Sequence, residues 1–373
     1  MTEIELPGIT DPARSRRSTK PPSHWADLPP DDRGPAVTTA GLPRFRADQI
    51  SRRYFGQNDA GPRTWSELSA ALGDQVADTW FPDLLDPVTE LACDNGHTVK
   101  NVWRLAGGGL VESVVMAYPK RVTACVSSQA GCGIGCPFCA TGQQGLTRNL
   151  STGEIVEQVR HARRMAASGV FRRSPDHLTN IVFMGMGEPL ANYRALVAAL
   201  HRIIDPSPAG FGMSARNVTV STVGLVPRMH DLAAEGMPVT LALSLHAPDD
   251  DLRDTLVPIN HRWPVQEVLA AADAYAQRTG RRYSIEYALI RDINDQAWRA
   301  AALGELLAGR LTHLNLIPLN PTPGSMWTAS DPQVQDEFVS IVADAGVAVT
   351  VRDTRGREID GACGQLAASV KED

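Results

Sequence analysis

Three cysteines in the run Gly131-Cys132-Gly133-Ile134-Gly135-Cys136-Pro137-Phe138-Cys139 constrain this chain more than any other feature. Three and then two residues separate them. Thiolates that close together can wrap three corners of a [4Fe–4S] cubane, which leaves the fourth iron without a protein ligand and free to bind a substrate or cofactor. An open iron implies chemistry rather than electron storage alone.

A structural zinc site is the competing reading of a short cysteine cluster. Its fourth ligand would come from Cys93, Cys125, Cys363 or one of the 9 histidines, and none of these supplies the second closely spaced pair that zinc knuckles use. A disulfide framework is disfavoured by the opening MTEIELPGIT, which has no apolar signal segment and points to a reducing, cytoplasmic setting. The 373 residues, 43% hydrophobic and 21% charged, suit one large core or two domains. No apolar stretch is long enough to span a bilayer, so no membrane partner is expected. A net charge of −6 announces no bulk basicity, and any nucleic-acid binding must rest on local patches.

Residues 1–40 are rich in Pro, Arg, Asp and Ser and are expected to form a flexible tail. Residues 41–90 read as a small helical accessory domain, with Phe45, Ile50 and Tyr54 on one stripe and Leu68, Leu72 and Val76 on another. Thr64-Trp65-Ser66-Glu67 reads as a capping box opening the second helix. Residues 91–117 form a bridging hairpin that turns at Gly107-Gly108-Gly109.

From 118 to 358 strands and helices alternate. Strands are expected over 122–126, 180–184, 217–222, 238–244, 283–288, 313–317 and 347–351, and helices over 152–167, 193–204, 226–234, 264–278, 296–308 and 332–345. The first of these helices carries its own warrant: Ser151 and Glu154 make a capping box, and Ile155, Val159, Ala162 and Met165 recur at helical spacing. Six strand–helix units predict an α/β fold with a parallel sheet covered by helices. Ligands in such folds gather where strands end, and the cysteine run follows the first strand of the series. Residues 359–373 form a C-terminal segment carrying Cys363.

The cysteine spacing, with Phe138 before the last cysteine, resembles the radical S-adenosylmethionine (SAM) superfamily. Further blocks are similar to the RlmN-type RNA adenine-C2 methyltransferases within it: Cys125-Val-Ser-Ser-Gln-Ala-Gly-Cys132, Met184-Gly-Met-Gly-Glu-Pro-Leu190, Val220-Ser-Thr222, Ser244-Leu-His246, Asn320-Pro-Thr-Pro-Gly324 and Arg355-Gly-Arg-Glu-Ile-Asp-Gly-Ala-Cys-Gly-Gln365. The resemblance runs from about Leu42 to the C-terminus. It implies a partial (β/α)6 TIM-like barrel of the radical SAM type, with the small N-terminal helical accessory domain serving RNA binding. It also implies one [4Fe–4S] cluster per chain on Cys132, Cys136 and Cys139, and SAM contacts from Gly187, Glu188, Ser221, Ser244, Leu245, His246 and Asn320.

The chemistry follows from the base. C2 of adenine is an electron-poor amidine carbon that cannot attack a sulfonium methyl group, whereas a carbon-centred radical can add to it. In the scheme implied by the resemblance, two SAM molecules serve each turnover. One methylates Cys363, and the second provides a radical that removes hydrogen from that methyl group, so that the methylene joins C2. Cys125 then forms a transient disulfide with Cys363, and Glu112 takes the C2 proton. The implied substrates are an adenosine in the peptidyl-transferase loop of 23S rRNA and the adenosine beside the anticodon of some tRNAs, with an electron donor such as flavodoxin or ferredoxin.

Arg44, Arg46, Arg52 and Arg53 on the accessory domain, and Arg352, Arg355 and Arg357 near Cys363, are the candidate phosphate grips. The target base would be unstacked and flipped out. Two other functions stay open at this point: Cfr-type methylation at C8 of the same rRNA adenosine, and a non-catalytic Fe–S or zinc RNA-binding protein. The residues alone also leave Glu112 free to face solvent, the strand-end Ser and His free to be turn or core groups, and Cys93 a small buried hydrophobe.

Overall fold

The computed structural model describes residues 20–322, 325–352 and 355–367. It opens with three helices, α1 (Pro30–Thr39), α2 (Arg46–Gly56) and α3 (Ala70–Trp80). Three antiparallel strands follow, β1 (Leu85–Cys93), β2 (Thr98–Leu105) and β3 (Leu110–Tyr118). Next come β4 (Arg121–Cys125), the short strands β5 (Gln129–Gly131) and β6 (Leu146–Asn149), and between them a single turn, α4 (Ala140–Gln143). The chain then alternates through α5 (Thr152–Ala167), β7 (Asn180–Phe183), α6 (Tyr193–Ile204), β8 (Val218–Thr222), α7 (Val226–Ala234) and β9 (Thr240–Ser244). It continues with α8 (Asp250–Leu256), α9 (Val265–Thr279), β10 (Tyr283–Leu289), α10 (Ala297–Leu307), β11 (Thr312–Pro318), α11 (Pro332–Asp344) and β12 (Val349–Val351).

One ten-stranded sheet runs β1-β2-β3-β4-β7-β8-β9-β10-β11-β12. Pairing is antiparallel from β1 to β4 and parallel from β4 to β12. The parallel strands divide their side chains by parity: Val218, Val220 and Thr222 of β8 are buried against helices, while Thr219 and Ser221 point the other way. On the helix side, α6 offers Leu196, Ala199, Leu200 and Ile203 as a buried stripe at helical spacing. In the sheet order β11 lies five places from β4, which on a flat sheet would separate them by roughly 24 Å. Yet Cys125 of β4 and Ile317 of β11 line one cavity, so the sheet curls toward a partial barrel with Thr219 and Ser221 of β8 on its inner side. Among the described residues no helix is long and apolar enough to cross a membrane.

The N-terminal expectations need correction. Residues 1–19 lie outside the described residues, but from His24 onward the expected tail is folded. Trp25 and Ala26 are fully buried, the Trp25 ring meets Trp80 edge-on at 5.4 Å, and Asp27 Oδ1 accepts the Gly153 amide at 2.7 Å. Composition averaged over the segment hides one large aromatic anchor. The capping box at Thr64 is not used. α3 begins later, where Ser69 Oγ accepts from the Leu72 amide, and Thr64 instead closes a short 3-10 turn by donating to Gly61 O. Phe45 is 61% exposed rather than part of the buried stripe. The helical region ends at Trp80, and β1 extends the expected hairpin to three strands that join β4 in the main sheet. Residues 368–373 and Gly324, part of expected segments, lie outside the described residues.

Candidate active site

The cysteine loop leaves the C-terminal end of β4 and is clipped shut by the β5–β6 pair. Gly131 has φ +77°, and a Cβ there would stand 1.9 Å from Gly145 O, so only glycine closes the clip. The amide of Cys132 donates to Gly145 O (2.9 Å) and that of Cys139 to Cys136 O (3.2 Å), and Cys139 is the N-cap of α4. Ile134, Phe138, Val223, Ala288 and Leu319 share a cavity wall with the three thiols. Burial raises all three pKa values, that of Cys132 to about 12. Thiols held in an apolar shell become thiolates when a cationic centre binds them, which is the demand an iron–sulfur cluster meets. Among the described residues no three Cys, His, Asp or Glu side chains converge on one point, whereas a cubane takes its thiolates on separate irons. Three thiols on one apolar-lined cavity wall are the donor set that fits a cluster. Arg253 lies fully buried below this wall, donates to Val223 O (2.7 Å), Leu245 O (3.0 Å) and Asn260 Oδ1 (2.6 Å), and places its charge beside Cys136.

The same cavity, about 170 Å³, receives Gly187, Glu188, Ser221, Ser244, His246 and Asn320 from the ends of β7, β8, β9 and β11. Gly187 has φ +98°, and a Cβ would meet Gln129 at 2.5 Å. Glu188 Oε1 accepts from the Leu190 amide and Oε2 from the Val223 amide, both at 3.0 Å, while burial pushes its pKa up to about 7. Ser221 Oγ donates to Phe183 O at 2.6 Å. His246 sits at φ +65° with Nδ1 accepting the Ala288 amide at 3.0 Å, so its neutral ring carries the proton on Nε2. Burial, with Arg253 second, lowers its pKa to about 3. Leu245 differs from its neighbours: its side chain is wholly buried in the apolar core and outside the cavity wall, leaving its main chain as its only contribution there.

A second cavity, about 250 Å³, is lined by Cys125, Cys363, Tyr118, Arg121, Asn180, Thr219, Arg352 and Arg355. The two cavities share Met184, Glu286, Ile317, Asn320, Cys363 and Leu366, so Cys363 stands at their common wall. Its segment is stapled in place. Asn320 Nδ2 donates to Cys363 O (3.0 Å), the Ala140 amide to Gly364 O (2.8 Å), Thr141 Oγ1 to Leu366 O (2.5 Å) and Gln365 Nε2 to Pro321 O (2.9 Å). The thiols of Cys125 and Cys363 are free. The Cys363 side chain is reachable from the cavities, but the protein around it raises its pKa. The Cys125 pKa is also raised, by burial first and by the Cys363 charge second.

Glu112 is 2% exposed on β3, not solvent-facing, and lines neither cavity. Lys100 Nζ lies 3.4 Å from its carboxylate and donates to Asp360 O at 3.3 Å, which ties Glu112 to the Cys363 segment. Of the expected phosphate grips, Arg352 and Arg355 line the second cavity. Arg357 is bonded to Asn320 Oδ1 (3.0 Å), and Arg53 is engaged by Asp59 and Glu67 at 3.5 and 3.4 Å. Sequence reasoning missed Glu286, although one acid in the otherwise uncharged strand Tyr283–Leu289 was a readable signal.

Comparison with known proteins agrees with this geometry. The Radical SAM superfamily model matches residues 126–303. A probable dual-specificity RNA methyltransferase RlmN from Salinispora tropica is 61% identical over 369 residues, covering 99% of each chain. One from Thermobifida fusca is 63% identical over 353 residues, covering 95% of this chain and 97% of that protein. The crystal structure of a radical SAM methyltransferase from Sphaerobacter thermophilus superposes with a TM-score of 0.89 at 43% identity, covering 93% of this chain and 100% of that one. With relatives this similar along almost their whole length, the chain belongs to the RlmN family of radical SAM RNA methyltransferases.

Proposed function

We propose that this enzyme methylates C2 of adenosine in 23S rRNA and in tRNA, in the cytoplasm, by passing the methyl carbon through Cys363. The observation that carries the reading is the position of Cys363 on the wall between a cavity holding the three cluster cysteines and a cavity holding Cys125. When bound, the [4Fe–4S] cluster, reduced by a donor such as flavodoxin or ferredoxin, and two SAM molecules per turnover supply the methyl group and the carbon-radical chemistry. Cys132, Cys136 and Cys139 would hold the cluster. Glu188, Ser221, Ser244, His246 and Asn320 surround the space beside it, with Gly187 and Leu245 contributing backbone. The His246 Nε2–H is a donor suited to a carboxylate or hydroxyl, and the Glu188 carboxylate an acceptor suited to an ammonium.

Cys363 accepts the methyl group and bonds through it to C2 of the base. Cys125 then attacks the Cys363 sulfur and breaks its bond to the methylene carbon, leaving a Cys125–Cys363 disulfide; the carbon keeps the electron pair and takes a proton to become the new methyl group, and Glu112, buried beside Lys100 and outside both cavities, is assigned the C2 proton by the family resemblance alone. Arg352 and Arg355 grip phosphate near the flipped base, and Arg44 and Arg46 flank the exposed Phe45 as a second, stacking contact on the accessory helices.

The test is to incubate the reduced, cluster-containing enzyme anaerobically with methyl-labelled SAM and ribosomal RNA, then locate the label in digested nucleosides. Label on adenosine C2 is the expected result. Label on C8 would establish the Cfr-type reaction instead, and an absence of 5′-deoxyadenosine would remove the radical scheme.

A further inference from the structure

β10 buries one carboxylate that the scheme above does not use. Glu286 is 4% exposed and lines both cavities, alongside Cys363 and Asn320. Its Oε1 accepts from Ser284 Oγ at 2.7 Å and Asn315 Nδ2 at 2.8 Å, so the side chain is held in one orientation. Its Oε2 is buried and has no hydrogen-bond partner among the described residues, with Arg352 Nη2 at 3.7 Å as its counter-charge. A buried acceptor kept without a donor is a destabilising feature unless a ligand completes it.

The chemistry at Cys363 says which ligand that is. In adenine, C2 and C6 flank the same ring nitrogen, so an acceptor beside the atom that bonds C2 is also within reach of the 6-amino group. That amino group is the exocyclic donor of the base. We propose that Glu286 Oε2 accepts a hydrogen bond from the 6-amino group of the target adenine and thereby selects adenosine over purines lacking that donor. Inosine sets a carbonyl oxygen against the carboxylate, and purine riboside offers only a C–H. Purine riboside leaves the buried carboxylate oxygen without a hydrogen-bond donor, and inosine meets it with an acceptor beside its N1–H, so purine riboside is the cleaner competitor for a site built around the 6-amino bond. Asn315 and Ser284 then act as positioning residues for the acceptor. The inference rests on the adenosine-C2 reading above.

The test uses the full-length, cluster-containing enzyme with RNA hairpins carrying adenosine, inosine or purine riboside at the target position. Wild-type enzyme should methylate the adenosine hairpin at C2 and discriminate against the other two by on the order of 100-fold or more. It should also bind the purine-riboside hairpin more weakly in the absence of SAM. Glu286→Gln offers an amide of the same size that can donate to inosine O6, so its adenosine-to-inosine ratio should narrow at least about tenfold.

Equal methylation and binding of adenosine and purine-riboside RNA by the wild type would overturn the inference without recourse to any variant. So would a Glu286→Gln enzyme that loses all three activities by one factor, or one that loses 5′-deoxyadenosine formation in the absence of RNA, which would assign Glu286 to the cofactor. A wild-type product labelled at C8 would sink the underlying reading instead.

Discussion

In the proposed scheme Cys125 acts as a nucleophile from a place that disfavours its thiolate. Burial and the neighbouring Cys363 both raise its pKa, so at neutral pH it is almost entirely thiol. A raised pKa has one sign: the reactive fraction grows as pH rises. Decay of a pre-formed Cys363–RNA adduct should therefore quicken by about tenfold per pH unit across the neutral and mildly alkaline range. Quenched gels report that decay, and a flat profile would be incompatible with attack by this thiol. Cys125→Ala should stop the decay and leave a covalent RNA–protein adduct visible by denaturing electrophoresis; normal release of methylated RNA would remove the resolving role. Cys363→Ala should keep its iron content and lose methyl transfer to RNA, as read by iron analysis beside nucleoside mass spectrometry.

Two short strands hold the cysteine loop, pairing at Gln129–Asn149, Ala130–Arg148 and Gly131–Leu146, and the last of these pairs needs a glycine. At Gly131 any Cβ collides with a backbone oxygen, which cannot rotate aside as a side chain can, and the positive φ adds strain of about 1 kcal/mol or more. Gly131→Ala should cause a several-fold fall in iron per chain with little change in far-ultraviolet circular dichroism. Iron loading at the wild-type level would mean the β5–β6 clip is not needed to present the thiols. The helices of the main domain are simpler objects. α5, α6 and α7 span the ranges their apolar stripes indicate, and α5 also opens on its Ser151–Glu154 capping box, because such signals lie within a few residues of the helix they govern.

Across the whole molecule, residues far apart in sequence tie the N-terminal region to α6 and the loop that follows it. Arg33 Nη1 reaches Pro208 O at 3.0 Å, Arg202 Nη2 reaches Leu28 O at 2.9 Å, and Trp25 is buried against Trp80 and Phe81. Trp25→Ala should cost about 3–5 kcal/mol, seen as a lower urea midpoint with the cluster protected from oxygen. A shift below about 1 kcal/mol would return the segment to the tail that composition alone suggested.

The alternation of strands and helices, the cysteine spacing and the motif blocks are local patterns, and from them the α/β architecture was readable, as were six of the strand-end residues that share a cavity with the three cysteines: Gly187, Glu188, Ser221, Ser244, His246 and Asn320. Glu286 and Arg352, or Lys100 and Asp360, are brought together across 66 and 260 positions, and no local periodicity encodes which distant groups will share a cavity. Curvature of the sheet decided that. By curling β4 toward β11 it put Cys125 and Cys363 on one chamber, left Glu112 outside both cavities with Lys100, and turned the lone acid of β10 into the same cavities as Cys363.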